Sequence, residues 1–204
     1  MFTDPCAPPA LGRPRSVEAD TAIANAVLGL LAESGFEGVT VEAVAHRAGV
    51  ARSTVYRRFP DRTRLVEGVL HHACQVPVVE PHTGSVAGDL VVIATGLRRA
   101  LTTTEFGRAL PAVVAAAATN PEVAEAHSAF VATRRLVSLE AVRQGVERGE
   151  VDPEIDPEVL IDMVVGAVFH RIFMSRRPVT DEWIGELVER AVRACAPAGA
   201  VSRP

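Results

Sequence analysis

Thr40-Val41-Glu42-Ala43-Val44-Ala45-His46-Arg47-Ala48-Gly49-Val50-Ala51-Arg52-Ser53-Thr54-Val55-Tyr56-Arg57-Arg58-Phe59-Pro60 reads as two short helices and the sharp turn that joins them. Thr40 is of the residue type that caps a helix start, and Val41 to Arg47 follows as the first helix. Gly49 permits the left-handed backbone that a tight helix exit needs, and Val50 packs the turn. The second helix runs from about Ala51 to Arg58 and stops at Phe59-Pro60. Val44, Ala45, Val50 and Val55 are spaced to fill a small core between the two. Arg52, Ser53, Thr54, Tyr56, Arg57 and Arg58 are left pointing outward. Arginine forks match guanine edges and phosphates, and hydroxyls reach either, so this face has the chemistry of a helix laid in a DNA groove.

The charge pattern agrees. The chain carries a formal net charge of −4, which alone argues against a polyanion partner. Yet residues 47–64 hold six arginines (47, 52, 57, 58, 62 and 64) against one acid, Asp61, and Arg13 and Arg15 lie just ahead of the first helix. Residues 76–204 are net acidic, with 13 arginines against 17 acids. A basic block on an acidic chain is the footprint of a local polyanion contact. All 21 cations are arginine.

Outward from this block the chain reads as helix throughout, an all-α protein of about nine helices. Residues 1–12 hold three prolines and are expected to form a disordered tail. Helix 1 is expected from about Ser16 to Ser34, with Ile23, Val27, Leu30 and Leu31 inward and Gly35 as its stop. Asp61 caps a helix to about Cys74 with Leu65, Val66, Val69 and Leu70 inward. Pro77, Pro81 and Gly84 mark a domain boundary, giving an N-terminal domain over 13–75 and a larger helical one over 76–200. In the latter, helices are expected over 86–103, over 105–118 (Pro111 bending it or marking a restart), from Asn120-Pro121 to about Arg148, over 157–175, and from Thr180 onward. The 157–175 segment is apolar nearly all round and too greasy to be solvated. It is expected to pair with the last helix and with the same two helices of a second chain, placing Val165, Val168, Ile172, Ile184, Leu187 and Val188 at a homodimer interface.

Several function classes are excluded by what is missing. With 48% hydrophobic and 23% charged residues in 204, the chain can bury a core without disulfides or metal. Cys6, Cys74 and Cys195 form no metal spacing and no even framework, so free thiols in a cytoplasmic setting are expected. No run approaches the roughly 20 apolar residues of a membrane span. Histidines 46, 71, 72, 82, 127 and 170 lack companions at metal spacing, and no nucleophile–base pair is visible. No cofactor, metal or catalytic residue is expected.

Residues 13–72 resemble the DNA-binding domain of TetR-family transcriptional regulators. The resemblance rests on Ala22-Ile23, Leu31, Gly35-Phe36, Thr40-Val41-Glu42-Ala43-Val44-Ala45, Ala48-Gly49-Val50, Ser53-Thr54-Val55-Tyr56-Arg57-Arg58-Phe59 and Asp61-Arg62. It implies a helix-turn-helix repressor that binds a palindromic double-stranded DNA operator as a dimer and is released by a small-molecule effector. It implies groove contacts by Arg52, Ser53, Thr54 and Arg57, backbone contact by Tyr56, and phosphate contacts by Thr40 and by Arg62, which stands where a lysine is usual. Arg13 and Arg15 would reach the adjacent minor groove. Ala51 departs from the pattern, standing where a capping serine is common. The remaining 130 or so residues resemble the family's ligand-binding and dimerisation domain. Gly149 to Asp152, Asp156-Pro157, Val165 to Arg171 and Arg177-Pro178 look like one C-terminal subtype. Phe106, His127, Phe130, Phe169 and Phe173 are candidates to line the effector pocket, although aromatic stripes also make plain core. The rival readings are a small-molecule carrier or a protein-interaction module whose basic block is incidental.

Overall fold

The computed structural model describes residues 17–74 and 80–197, so the 1–12 tail, Arg13, Arg15, Ser16 and the linker at 75–79 named from the sequence lie outside the described residues. Among the described residues there are nine α-helices and no strand. They are α1 (Val17–Ser34), α2 (Val41–Ala48), α3 (Arg52–Arg58), α4 (Arg62–Cys74), α5 (Val86–Thr103), α6 (Glu105–Ala117), α7 (Pro121–Glu147), α8 (Pro157–Phe169) and α9 (Asp181–Ala194). A 3-10 turn, Phe36–Gly38, links α1 to α2, and a π-helical turn, His170–Met174, ends α8. No described helix is long and apolar enough to cross a membrane.

By packing, the chain forms two units. The first is the described part of 1–77 with Thr104–Thr133, and the second is the described part of 78–103 and of 134–204. This is a different partition from the sequence break near residue 76, because α6 and the start of α7 pack with α1–α4. The reason lies in side-chain size. Gly107, Ala109, Val113 and Ala116 are buried on α6, and these small residues let α6 close on α1.

In the first unit α1 is the central rod, buried through Ile23, Ala24, Val27 and Leu31. Val39, Val44, Val55, Leu65, Val66, Val69 and Leu70 meet it from the 3-10 turn exit, α2, α3 and α4. Each such aliphatic side chain contributes about 1.5–3 kcal/mol when fully removed from water. Pro111 does not restart α6, which is α-helical from Glu105 to Ala117. It sits exposed within one continuous helix, where its missing N–H faces solvent instead of a core. Val114 on the same helix is 50% exposed. Asn120 caps α7, its Oδ1 accepting from Glu122 N (3.0 Å) and Val123 N (3.2 Å), while its Nδ2 donates to Thr63 Oγ1 of α4 (3.0 Å).

The second unit holds α5, the rest of α7, α8, the π turn and α9. Leu90, Ala94, Leu101, Leu160, Ile161, Val164, Val168, Ile184 and Val188 make its core. The buried Asp89 carboxylate accepts from Thr83 N and Oγ1 (2.8 Å each), and Glu150 Oε2 accepts the first-turn amide of Val86 (2.6 Å). Gly145 lets Val86 and Val151 close on α7. Two expectations are corrected here. The helix expected to 175 is α-helical only to Phe169, after which Ser175 N bonds His170 O (2.9 Å), a five-residue span. Val168, Ile184 and Val188, expected at an interface, are fully buried inside their own chain and have no face to offer a second one. On a helix apolar all round, composition does not say which stripe the subunit keeps for itself.

Candidate nucleic-acid interface

The turn between α2 and α3 closes as the sequence requires. Gly49 adopts φ 67°, ψ 29°, its N–H bonds His46 O (3.3 Å), and Val50 N bonds Ala45 O (3.1 Å), so the last carbonyls of α2 are satisfied by a Schellman motif. Thr40 caps the start of α2, its Oγ1 accepting from Ala43 N (3.1 Å) and keeping its hydroxyl proton to donate. Ala51 begins α3 with no side-chain cap, as its methyl dictates. Val55 is fully buried, and Phe59 lies on Gly68 of α4, where any Cβ would collide with its ring. With that inner edge pinned, α3 turns Arg52, Ser53, Tyr56 and Arg57 to solvent, Tyr56 at 62% exposure, and holds Thr54 and Arg58 half-buried.

The six arginines of the basic block separate into two kinds. Arg47 makes a two-pronged pair with Glu33 of α1 (2.6 and 2.7 Å), and Arg58 pairs with Asp20 of α1. Arg62 pairs with Glu37 of the 3-10 turn, and Arg64 with Glu67 (2.6 Å). The Arg47 guanidinium holds the Glu33 carboxyl below its ordinary value. Arg52 and Arg57 have no acid partner among the described residues. What the sequence shows as a diffuse +5 block is therefore, in the folded chain, two unneutralised cations five residues apart on one exposed helix, flanked by the Ser53 and Tyr56 hydroxyls. Arg58, read as outward, is instead the tie between α3 and α1. The sequence could not reveal this, because Asp20 lies 38 positions away.

The effector-pocket candidates fall into two aromatic pairs. Phe106 and Phe130 stack at 5.0 Å between centroids in the first unit, with His127 half-buried one turn before Phe130 on α7. Burial lowers the His127 pKa. Phe169 and Phe173 face each other at 5.9 Å across the π turn in the second unit. A groove of about 490 Å³ in the first unit, lined by Phe59, Glu67, Gly68, His71, Glu122 and Glu125 among others, contains none of the five candidates. Among the described residues, no group of three or more His, Cys, Asp or Glu could hold a metal ion. Cys195 is a buried free thiol, its pKa raised by burial.

A capped helix, a Schellman turn and a solvent-facing helix with two unpaired arginines define a helix-turn-helix DNA-binding protein. Comparison with known proteins gives the family. Residues 23–69 match the model for bacterial regulatory proteins of the tetR family, and residues 80–191 match that for the tetracyclin repressor-like C-terminal domain. The HTH-type transcriptional regulator YdeS of Bacillus subtilis is 31% identical over 183 residues, covering 89% of this chain and 92% of that protein. The DNA-binding transcriptional repressor TetR of Mycobacteroides abscessus is 26% identical over 173 residues, covering 82% and 88%. Among solved structures, the TetR family transcription regulator SCO0332 is 31% identical with a TM-score of 0.65, covering 88% of this chain and all of that one. The chain belongs to the TetR family and is a DNA-binding transcriptional regulator.

Proposed function

We propose that this regulator is a repressor that binds a palindromic operator as a homodimer and leaves it when a small molecule binds. Residues 13–75 are the reading head and residues 76–200 the effector and dimerisation domain. The observation that carries the DNA reading is the pair Arg52 and Arg57, without acid partners among the described residues where four neighbouring arginines have them. Two exposed cations on one helix can fork onto base edges, with Ser53 and Thr54 beside them, Tyr56 on the backbone and Thr40 reaching a phosphate from the start of α2. The M. abscessus relative, named a DNA-binding repressor, supports repression.

Two helices reading successive major grooves need a two-fold partner. The surface that suits one is the outer face of α8. Val159 and Met163 are 49% and 39% exposed there, and Gly166 has open space over its Cα. A glycine inside a helix costs stability, so one with nothing above it in its own chain suits the close crossing of a second helix. Of the interface residues read from sequence, Val165, Ile172 and Leu187 remain half-buried and able to contribute. The Phe106–Phe130 pair with His127 in the first unit, and the Phe169–Phe173 pair in the second, are two separate candidates for contact with an apolar effector, the first carrying a polar group.

The test is binding of the full chain to duplexes selected from a random pool, measured against salt. Selection of a two-fold symmetric sequence with steep salt dependence is expected. A chain that selects no sequence and shows no salt dependence contradicts the reading.

A further inference from the structure

Arg62 is held differently from the other acid-paired arginines of the basic block. Its Nε donates to Val39 O (3.2 Å), and the face of its guanidinium lies over the Phe36 ring (5.2 Å to the centroid). These two contacts fix the fork beside Val39-Thr40, at the N-terminus of α2, where the helix dipole and free amides favour an anion. The Nη1 edge is taken by the Glu37 carboxylate. Among the described residues the Glu37 carboxylate makes no other hydrogen bond or ion pair, and its side chain is 83% exposed. The acids paired to Arg47, Arg58 and Arg64 are held more closely, at 59%, 33% and 19% exposure.

We propose that Glu37 is an intramolecular stand-in for a DNA phosphate: it occupies the fork of Arg62 in the free protein and competes with the backbone for it. The inference rests on the DNA-binding reading above. Exchange disturbs little, because the Val39 and Phe36 contacts stay in place while one exposed carboxylate swings into water. The occupant that replaces it is a phosphate of the duplex lying along α2, so Glu37 weakens binding to every sequence alike and sets how tightly the regulator holds DNA without altering which bases it reads.

The experiment measures binding of the full chain to its selected operator and to an arbitrary duplex of equal length, from about 50 to 200 mM salt. Glu37→Gln is compared with wild type, and again in an Arg62→Met background, with Arg62→Gln as a second background should the first fold poorly. Glu37→Gln is expected to tighten both duplexes by roughly three- to tenfold with the slope of log affinity against log salt unchanged, since the same phosphate is bound in both, whereas loss of Arg62 flattens that slope by about 0.9, one phosphate contact. The gain is expected to vanish when Arg62 is gone. No gain, or an equal gain without Arg62, overturns the proposal, the second outcome showing only a diffuse charge effect. A wild-type chain with no salt-dependent DNA binding overturns the DNA-binding reading itself, and this inference with it.

Discussion

The guanidinium of Arg47 on α2 lies in the space that a side chain on Gly29 of α1 would fill, 2.5 Å from where its Cβ would stand, and from there it grips Glu33. Gly29→Ala would push the guanidinium aside and loosen that pair. The pair faces solvent, where such interactions contribute little. Alanine in a helix interior gains about 0.5–1 kcal/mol over glycine. The propensity gain wins, and the variant should be at least as stable as wild type in urea denaturation. A loss above about 1 kcal/mol would show the Arg47 contact to be worth more than its exposure suggests.

The uncapped start of α3 gives a second prediction. Ala51 already has extended φ and ψ (−65° and 140°), so a serine there can accept a first-turn amide without moving the backbone. Ala51→Ser should add about 0.5–2 kcal/mol, read as a higher urea midpoint with an unchanged m-value. A lower midpoint would mean that the first turn of α3 is not free to be capped.

Much of this was legible in the chain. Gly49, the Val44–Val55 spacing and the Phe59-Pro60 stop specify the α2–α3 unit through local conformational preference alone, and the structure places each as expected. The outward face of Arg52, Ser53, Tyr56 and Arg57 was equally legible, since one buried valine fixes the rotation of a seven-residue helix. The arginines' partners were not. Glu33, Glu37 and Asp20 reach Arg47, Arg62 and Arg58 from 14, 25 and 38 positions away, and sequence periodicity carries no information about such pairs. The buried stripe of α8 was hidden for a different reason: when every face is apolar, only the neighbouring helices decide which is covered. The packing of α6 against α1 also depended on tertiary contact, through small residues that have no preferred partner of their own.

His127 links stability to pH. Burial lowers its pKa from an ordinary 6.5, so the folded chain resists a proton that the unfolded chain accepts. The sign follows: its contribution is present above 6.5 and is lost as pH falls from there toward the lowered folded value. Between about pH 7.5 and 5.5 the melting temperature should fall further in wild type than in His127→Gln. Equal slopes would place the imidazole in water.

The proposed dimerisation through the outer face of α8 is tested at Met163. Met163→Glu places a charge on a surface that a partner must dry, and should raise the dimer dissociation constant at least about tenfold while leaving helix content unchanged. Sedimentation across a concentration series reads this directly. A variant that stays as dimeric as wild type would move the interface elsewhere.

The central claim is that Arg52 and Arg57 read DNA while Arg58 holds α3 to α1. Competitive binding of Arg52→Ala and Arg57→Ala, against the selected operator and its single-base variants at fixed salt, tests it most directly. Each should lose about 1–3 kcal/mol on the operator and discriminate less at one base pair per half-site, with the fold intact. Unchanged affinity and unchanged base preference in both would contradict the account.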